Sequence, residues 1–196
     1  MEIPLRKMKL LKDFRNLKEG FEISFKGVTL LVGEQGCGKS SLLELMRDNS
    51  KIELDLSEEA QEKGVETFYF DTEKMNPRIL DPISAFSNMD GTNKGIGVGV
   101  AVSMRYRSHG ETLREFTVNA ISKAKDCIVF LDEPESGLSL KNQYKLSQEM
   151  RSAVSRNVQV ICATHCLVLI SDEEEVYDLE CKRWVSSKDF VDRSRS

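Results

Sequence analysis

The run Gly33-Glu34-Gln35-Gly36-Cys37-Gly38-Lys39-Ser40 sets glycines, a lysine and a hydroxyl at the spacing of a phosphate-binding loop. Backbone amides of such a loop cradle phosphate oxygens, and Gly36 and Gly38 let the chain approach the anion where a side chain would clash. Lys39 is expected to reach the β- and γ-phosphates, Ser40 a Mg²⁺ ion and Ser41 the α-phosphate. A second run, Cys127-Ile128-Val129-Phe130-Leu131-Asp132-Glu133-Pro134, is apolar until it ends in two adjacent carboxylates. Asp132 suits a water-mediated hold on Mg²⁺, and Glu133 suits taking a proton from an attacking water. Together the two runs predict binding of a nucleoside triphosphate and its hydrolysis.

Both runs need scaffolding that the neighbouring residues supply. Thr29-Leu30-Leu31-Val32 is β-prone and apolar, as a buried strand feeding the loop should be. After Ser40, Leu42, Leu45 and Met46 recur at helical spacing, so the loop opens a helix whose first amides and dipole attract phosphate. Ile128 to Leu131 lacks polar interruptions, which suits a parallel strand covered on both faces. Asp132 then falls at the carboxyl end of that strand, the edge where open α/β sheets bind ligands. A third apolar run, Val158 to Ala163, leads through Thr164 to His165 on the same edge, where a neutral imidazole could bridge water and γ-phosphate.

Two further segments narrow the reading. Ser108-His109-Gly110-Glu111 opens an amphipathic stretch with Leu113, Phe116, Ala120 and Ala124 on one face, and Glu135-Ser136-Gly137-Leu138-Ser139 follows the carboxylate pair. This ordered set resembles the ABC-type ATPases, within the AAA/ABC-like P-loop NTPase group. Ser108-His109-Gly110-Glu111 resembles their signature motif, in the form found in small soluble predicted ATPases of bacteria and phages. Ser136-Gly137-Leu138-Ser139 resembles the D-loop, and His165 the switch histidine. The resemblance implies a three-layer α/β fold with a mostly parallel central sheet and ATP with Mg²⁺ as ligands. It also implies a homodimer that sandwiches two ATP molecules, with Ser108 and Gly110 of one protomer touching the γ-phosphate held by the other. Catalysis would rest on Glu133, His165 and Lys39, nucleotide contacts on the loop from Gly33 to Ser41, and the metal on Ser40 and Asp132.

Ser108 and Glu111 also fit a capping box, and a cap is compatible with the signature role. Two departures from the family pattern stand out. No glutamine follows the strand Val65 to Phe70; Asp71 and Glu73 occupy that place instead. No convincing aromatic platform for the base precedes the phosphate loop, Phe14 being the only candidate.

At 196 residues the chain suits one domain, with residues 93–124 as the signature-motif helical region and residues 190–196 as a frayed tail. No run approaches the roughly 20 apolar residues that span a bilayer, no secretory pattern is seen at the start, and no heptad array lies between Ser41 and Ser108. A net charge of −4 without a basic block disfavours sequence-blind nucleic-acid binding, although a local patch in a dimer remains open. The five cysteines make neither a disulfide nor a zinc framework and fit a reducing cytoplasm. Cys127, Cys162 and Cys181 read as small buried hydrophobes in strands; helix-start charge near Cys37 would favour a thiolate, but a small tolerated side chain is the preferred reading there.

Phe21 to Phe25 should form a strand, Ser57 to Gly64 a polar surface connection, and Ser139 to Val154 a helix with Leu146, Met150 and Ala153 inward. Val176 to Leu179 and Trp184-Val185 should form final edge strands. Three roles remain open: an ATPase driving a protein partner or a nucleic-acid process, an ATP-gated interaction module, and the energising subunit of a transporter.

Overall fold

The apolar runs pair side by side in a six-stranded sheet of the computed structural model, which describes residues 3–71, 117–118 and 121–195. The sheet order is β5 (Glu66–Asp71), β6 (Cys127–Asp132), β7 (Val158–Ala163), β3 (Val28–Val32), β8 (Glu175–Asp178) and β9 (Arg183–Ser186). All neighbours are parallel except β8 and β9, which pair antiparallel. Every residue of β6 and β7 is buried, as their near-continuous apolar sequence requires.

Alternation along the strands sends side chains to two cores. On one face, Leu31, Ile128, Phe130 and Ile161 pack with Leu42, Leu43, Leu45 and Met46 of α1 (Lys39–Arg47). On the other, Leu30, Val32, Val129 and Cys162 meet Leu146, Met150 and Ala153 of α3 (Leu140–Val154). Leu146 is completely buried, a burial worth roughly 1.5–3 kcal/mol. Two shorter helices, α4 (Leu167–Asp172) and α5 (Ser187–Arg193), cover the same face as α3. These are the three layers expected.

A second sheet, of which only the strand Phe21 to Phe25 was expected, lies on the α1 side. It is antiparallel, in the order β2 (Glu22–Ser24), β1 (Leu5–Leu10), β4 (Ile52–Leu56). Gln159 ties it to the central sheet: its Oε1 accepts from Leu5 N at 2.9 Å, and its Nε2 donates to Leu5 O at 2.8 Å and Lys26 O at 3.1 Å. Replacing Gln159 with Leu strands the two buried backbone groups of Leu5 and removes a part-buried bond to Lys26 O, so we expect a loss of about 2–4 kcal/mol in urea unfolding. A loss below about 1 kcal/mol would show that the tie contributes little.

Four expectations are corrected. Ser57 to Gly64 is not a plain connection: Ser57 Oγ accepts from Ala60 N and caps α2 (Glu58–Lys63), which buries only Ala60. Of the last two strands only β9 is an edge, because β8 lies between it and β3. Cys181 is exposed, in the turn after β8. Helix α5 runs into the stretch expected as a tail, and its Arg193 Nη2 lies 2.6 Å from the buried Asp178 Oδ2. Residues 117–118 and 121–123 are helical, with Thr117 and Ile121 buried.

Candidate functional site

The chain leaves β3 at Val32 and turns at once through Gly33, whose φ is 138°. A Cβ at that position would meet Cys37 Sγ at 2.8 Å, so only glycine fits. Gly38 caps α1 at φ 113° and brings no side-chain acceptor to the first turn. The amides of that turn therefore face outward as donors, with the helix dipole behind them. Lys39 is buried, and its Nζ donates to Gly33 O at 2.9 Å and Glu34 O at 3.0 Å. The ammonium is thus folded across the mouth of the loop. At Cys37 burial pushes the thiol up, more than Lys39 pulls it down, so the thiolate is not favoured and the reading as a small side chain in the loop stands.

Asp132, at the end of β6, accepts a hydrogen bond from Ser40 Oγ at 3.0 Å and another from Tyr69 OH at 3.4 Å. Asp71 ends β5 in register with it and is also buried. Burial pushes the Asp132 carboxyl up to about 6, opposed by the Ser40 bond and reinforced by the charges of Asp71 and Glu133. A hydroxyl and a carboxylate in contact are the hard oxygen donors that Mg²⁺ takes, and a divalent cation there would hold Asp132 ionised. Among the described residues no group of three His, Cys, Asp or Glu side chains gathers to hold a metal. The place where a glutamine was missed is filled by an acidic residue, Asp71, beside Asp132.

Glu133 has left-handed backbone, φ 48°, rare for a residue with a side chain and typical of functional turns. Its N–H donates to Ala163 O at 2.9 Å, which fixes the turn to the end of β7. Its Oε1 lies 3.9 Å from His165 Nε2, and both side chains are 43% exposed. Lys39, Ser40, Asp132, Glu133 and His165 thus gather at the carboxyl ends of β3, β6 and β7. Glu34, Gln35 and Gly36 are exposed along the loop. Ser108 and Gly110 lie outside the described residues.

Contacts of four side chains, Asn16, Arg15, Glu180 and Glu135, escaped the sequence reading. Asn16 Nδ2 donates to Gly36 O at 2.6 Å, and Arg15 Nη1 reaches Ser41 Oγ at 3.3 Å and Glu44 Oε2 at 2.7 Å. The connection between β1 and β2 therefore grips the phosphate loop. Glu180 Oε1 accepts from Glu34 N at 3.2 Å, joining the turn after β8 to the same loop. Glu135 Oε1 accepts from Thr164 Oγ1 at 2.6 Å and His165 N at 2.9 Å. No local pattern announces such tertiary contacts. The Phe14 ring has Arg15 and Lys51 cations 5.0 and 4.9 Å from its centroid, so cations already engage it.

The six-stranded, mostly parallel sheet with helices on both faces is the fold that the resemblance to the ABC-type ATPases implied. The family model described as "AAA domain, putative AbiEii toxin, Type IV TA system" matches residues 116–171. Among solved structures, cbiO1 from Clostridium perfringens, part of the ABC transporter complex cbiONQ, is 17% identical with a TM-score of 0.58, over 97% of this chain and 92% of that one. The ATP-binding cassette MJ0796, in a dimeric post-hydrolysis state bound to ADP and Pi, is 18% identical with a TM-score of 0.59, over 95% and 99%. UvrA2 from Deinococcus radiodurans is 13% identical with a TM-score of 0.56, over 90% of this chain and 36% of that one. At these identities the likeness is one of fold. No curated protein sequence matches this chain. Among the described residues no helix is long and apolar enough to cross a membrane.

Proposed function

We propose that this chain binds ATP with Mg²⁺ and hydrolyses it, as a homodimer closed around nucleotide that drives a protein partner or a nucleic-acid process. The observation that carries the reading is the Ser40–Asp132 contact at 3.0 Å, next to the Glu133–His165 pair at 3.9 Å. These residues sit one strand apart, because Asp132 and Ala163 are in register across β6 and β7. Gly33 to Ser41 would hold the phosphates, with Lys39 turning from its own loop carbonyls to the β- and γ-oxygens. Glu133 would take the proton of the attacking water, and His165 would hold water and γ-phosphate in line. Ser40 and Asp132 would hold Mg²⁺, which would neutralise phosphate charge.

The sandwich rests on Ser108 and Gly110 as expected from the sequence, and the dimeric state of MJ0796 with ADP and Pi supports it by analogy of fold. The test is phosphate release from ATP by the purified chain. Release that requires Mg²⁺ and stops with EDTA is expected. No release above buffer, together with no ATP binding by calorimetry, would overturn the reading.

A further inference from the structure

Glu135, two residues beyond Glu133, is a half-buried carboxylate. Its Oε1 takes two hydrogen bonds, from the hydroxyl of Thr164 at 2.6 Å and from the backbone N–H of His165 at 2.9 Å. Its Oε2 is buried with no hydrogen-bond partner among the described residues. Burial pushes its carboxyl up, against the pull of those two bonds. A carboxylate held in this way costs stability, and an unsatisfied buried oxygen points to a role other than stability.

The surrounding bonds show what the side chain controls. Ser136 N donates to Glu133 O at 3.0 Å and Leu138 N to Glu135 O at 2.9 Å, so Glu133 to Leu138 forms one closed turn. Glu133 N is fastened to Ala163 O at 2.9 Å. On the far side, Thr164 Oγ1 donates to Glu135 while accepting from Cys166 N at 2.9 Å, at the start of α4. The His165 side chain, by contrast, is exposed, and 3.9 Å from Glu133 is beyond a hydrogen bond. Among the described residues, the bond that fixes His165 runs from its own N–H to Glu135.

We propose that Glu135 is a positioning residue, which sets the distance between Glu133 and His165 by tying the turn after β6 to the hydroxyl of Thr164 and the backbone N–H of His165. This deepens the proposed ATPase reading and rests on it. Glu135 touches no reacting atom; it acts through His165. Charge-assisted bonds to a backbone N–H and a hydroxyl are short and directional, so they can hold an exposed imidazole in register. A displacement of about 1 Å at such a pair is enough to cost two orders of magnitude in rate.

The experiment compares the full chain with Glu135→Ala, Glu135→Gln, His165→Ala and the Glu135→Ala/His165→Ala double variant. It measures Mg²⁺-ATP affinity by calorimetry and kcat by phosphate release. Glu135→Ala should keep ATP affinity within about threefold and lose roughly tenfold or more in kcat. Glu135→Gln keeps the acceptor oxygen and should retain at least about half of wild-type kcat. In the His165→Ala background, Glu135→Ala should cost less than about twofold more, because the residue it positions is gone.

A Glu135→Gln variant as slow as Glu135→Ala would overturn the positioning role, as would a full additive loss in the double variant or a large loss of ATP affinity. If Glu135→Ala does not fold, Thr164→Val removes the shorter bond from its other end and should show the same loss of kcat at unchanged affinity. Wild-type rate in folded Thr164→Val would then overturn the inference. A wild-type chain that binds ATP and never hydrolyses it overturns the catalytic reading and this inference together. An active wild-type with additive variants overturns the inference alone.

Discussion

Lys39→Ala should weaken Mg²⁺-ATP binding by at least about a hundredfold, or roughly 2.7 kcal/mol by the usual conversion of affinity to free energy. The ammonium is the buried cation at the mouth of the phosphate loop, and charge-assisted bonds to phosphate are the strong ones in such a site. The variant also removes the donor that Gly33 O and Glu34 O share, so its thermal melting without nucleotide should be recorded beside its affinity. Calorimetry that finds wild-type affinity in a folded Lys39→Ala protein would mean that the phosphate loop has been misassigned.

Glu133→Gln carries the second large effect. The amide keeps the size and most of the bonding of the carboxylate but cannot act as the base. Hydrolysis should therefore fall about 10²- to 10⁴-fold while ATP still binds. If Ser108 and Gly110 close the site from the other protomer, retained ATP should hold the variant as a dimer in size-exclusion chromatography with light scattering. Adding Ser108→Arg should return it to monomer, since bulk and charge would enter a close contact. A Glu133→Gln protein that stays monomeric at saturating ATP argues against the sandwich, and one with wild-type turnover removes Glu133 as the base.

What could be read from the sequence was whatever local pattern dictates. β3, β6 and β7 were legible because each is an apolar run buried on both faces, and the phosphate loop because its glycine spacing has one dominant physical use. Of the small sheet, only the strand Phe21 to Phe25 was. Leu5-Arg6-Lys7-Met8-Lys9-Leu10 carries three cations on its open side, and Ile52 to Leu56 alternates with acidic residues, so both resemble polar surface. Helix α2 buries only Ala60, too little for an amphipathic signal. Cys181 was misplaced because the apolar run of β8 stops at Leu179, and the chain then turns outward.

In the site, residues with their own chemistry were legible: Lys39, Ser40, Asp132, Glu133 and His165. Asn16, Arg15 and Glu135 were not, because an asparagine, an arginine or a third glutamate near a turn is ordinary in sequence. Their meaning lies in partners 20, 26 and 29 residues away.

The small sheet is moored by Gln159 beside the start of β1, by Tyr177 OH and Trp184 Nε1 on the carbonyls of Glu22 and Ser24 in β2, and by the connection between β1 and β2, where Asn16 holds Gly36 and Leu17 packs under Gly38. It cannot swing open without prising the phosphate loop apart. A ligand that clamps the loop therefore latches β1 and β2 as well, raising the free energy of opening strands it never touches. Occupancy of the nucleotide site would reach the outer surface of this sheet as slower breathing, with no change of shape.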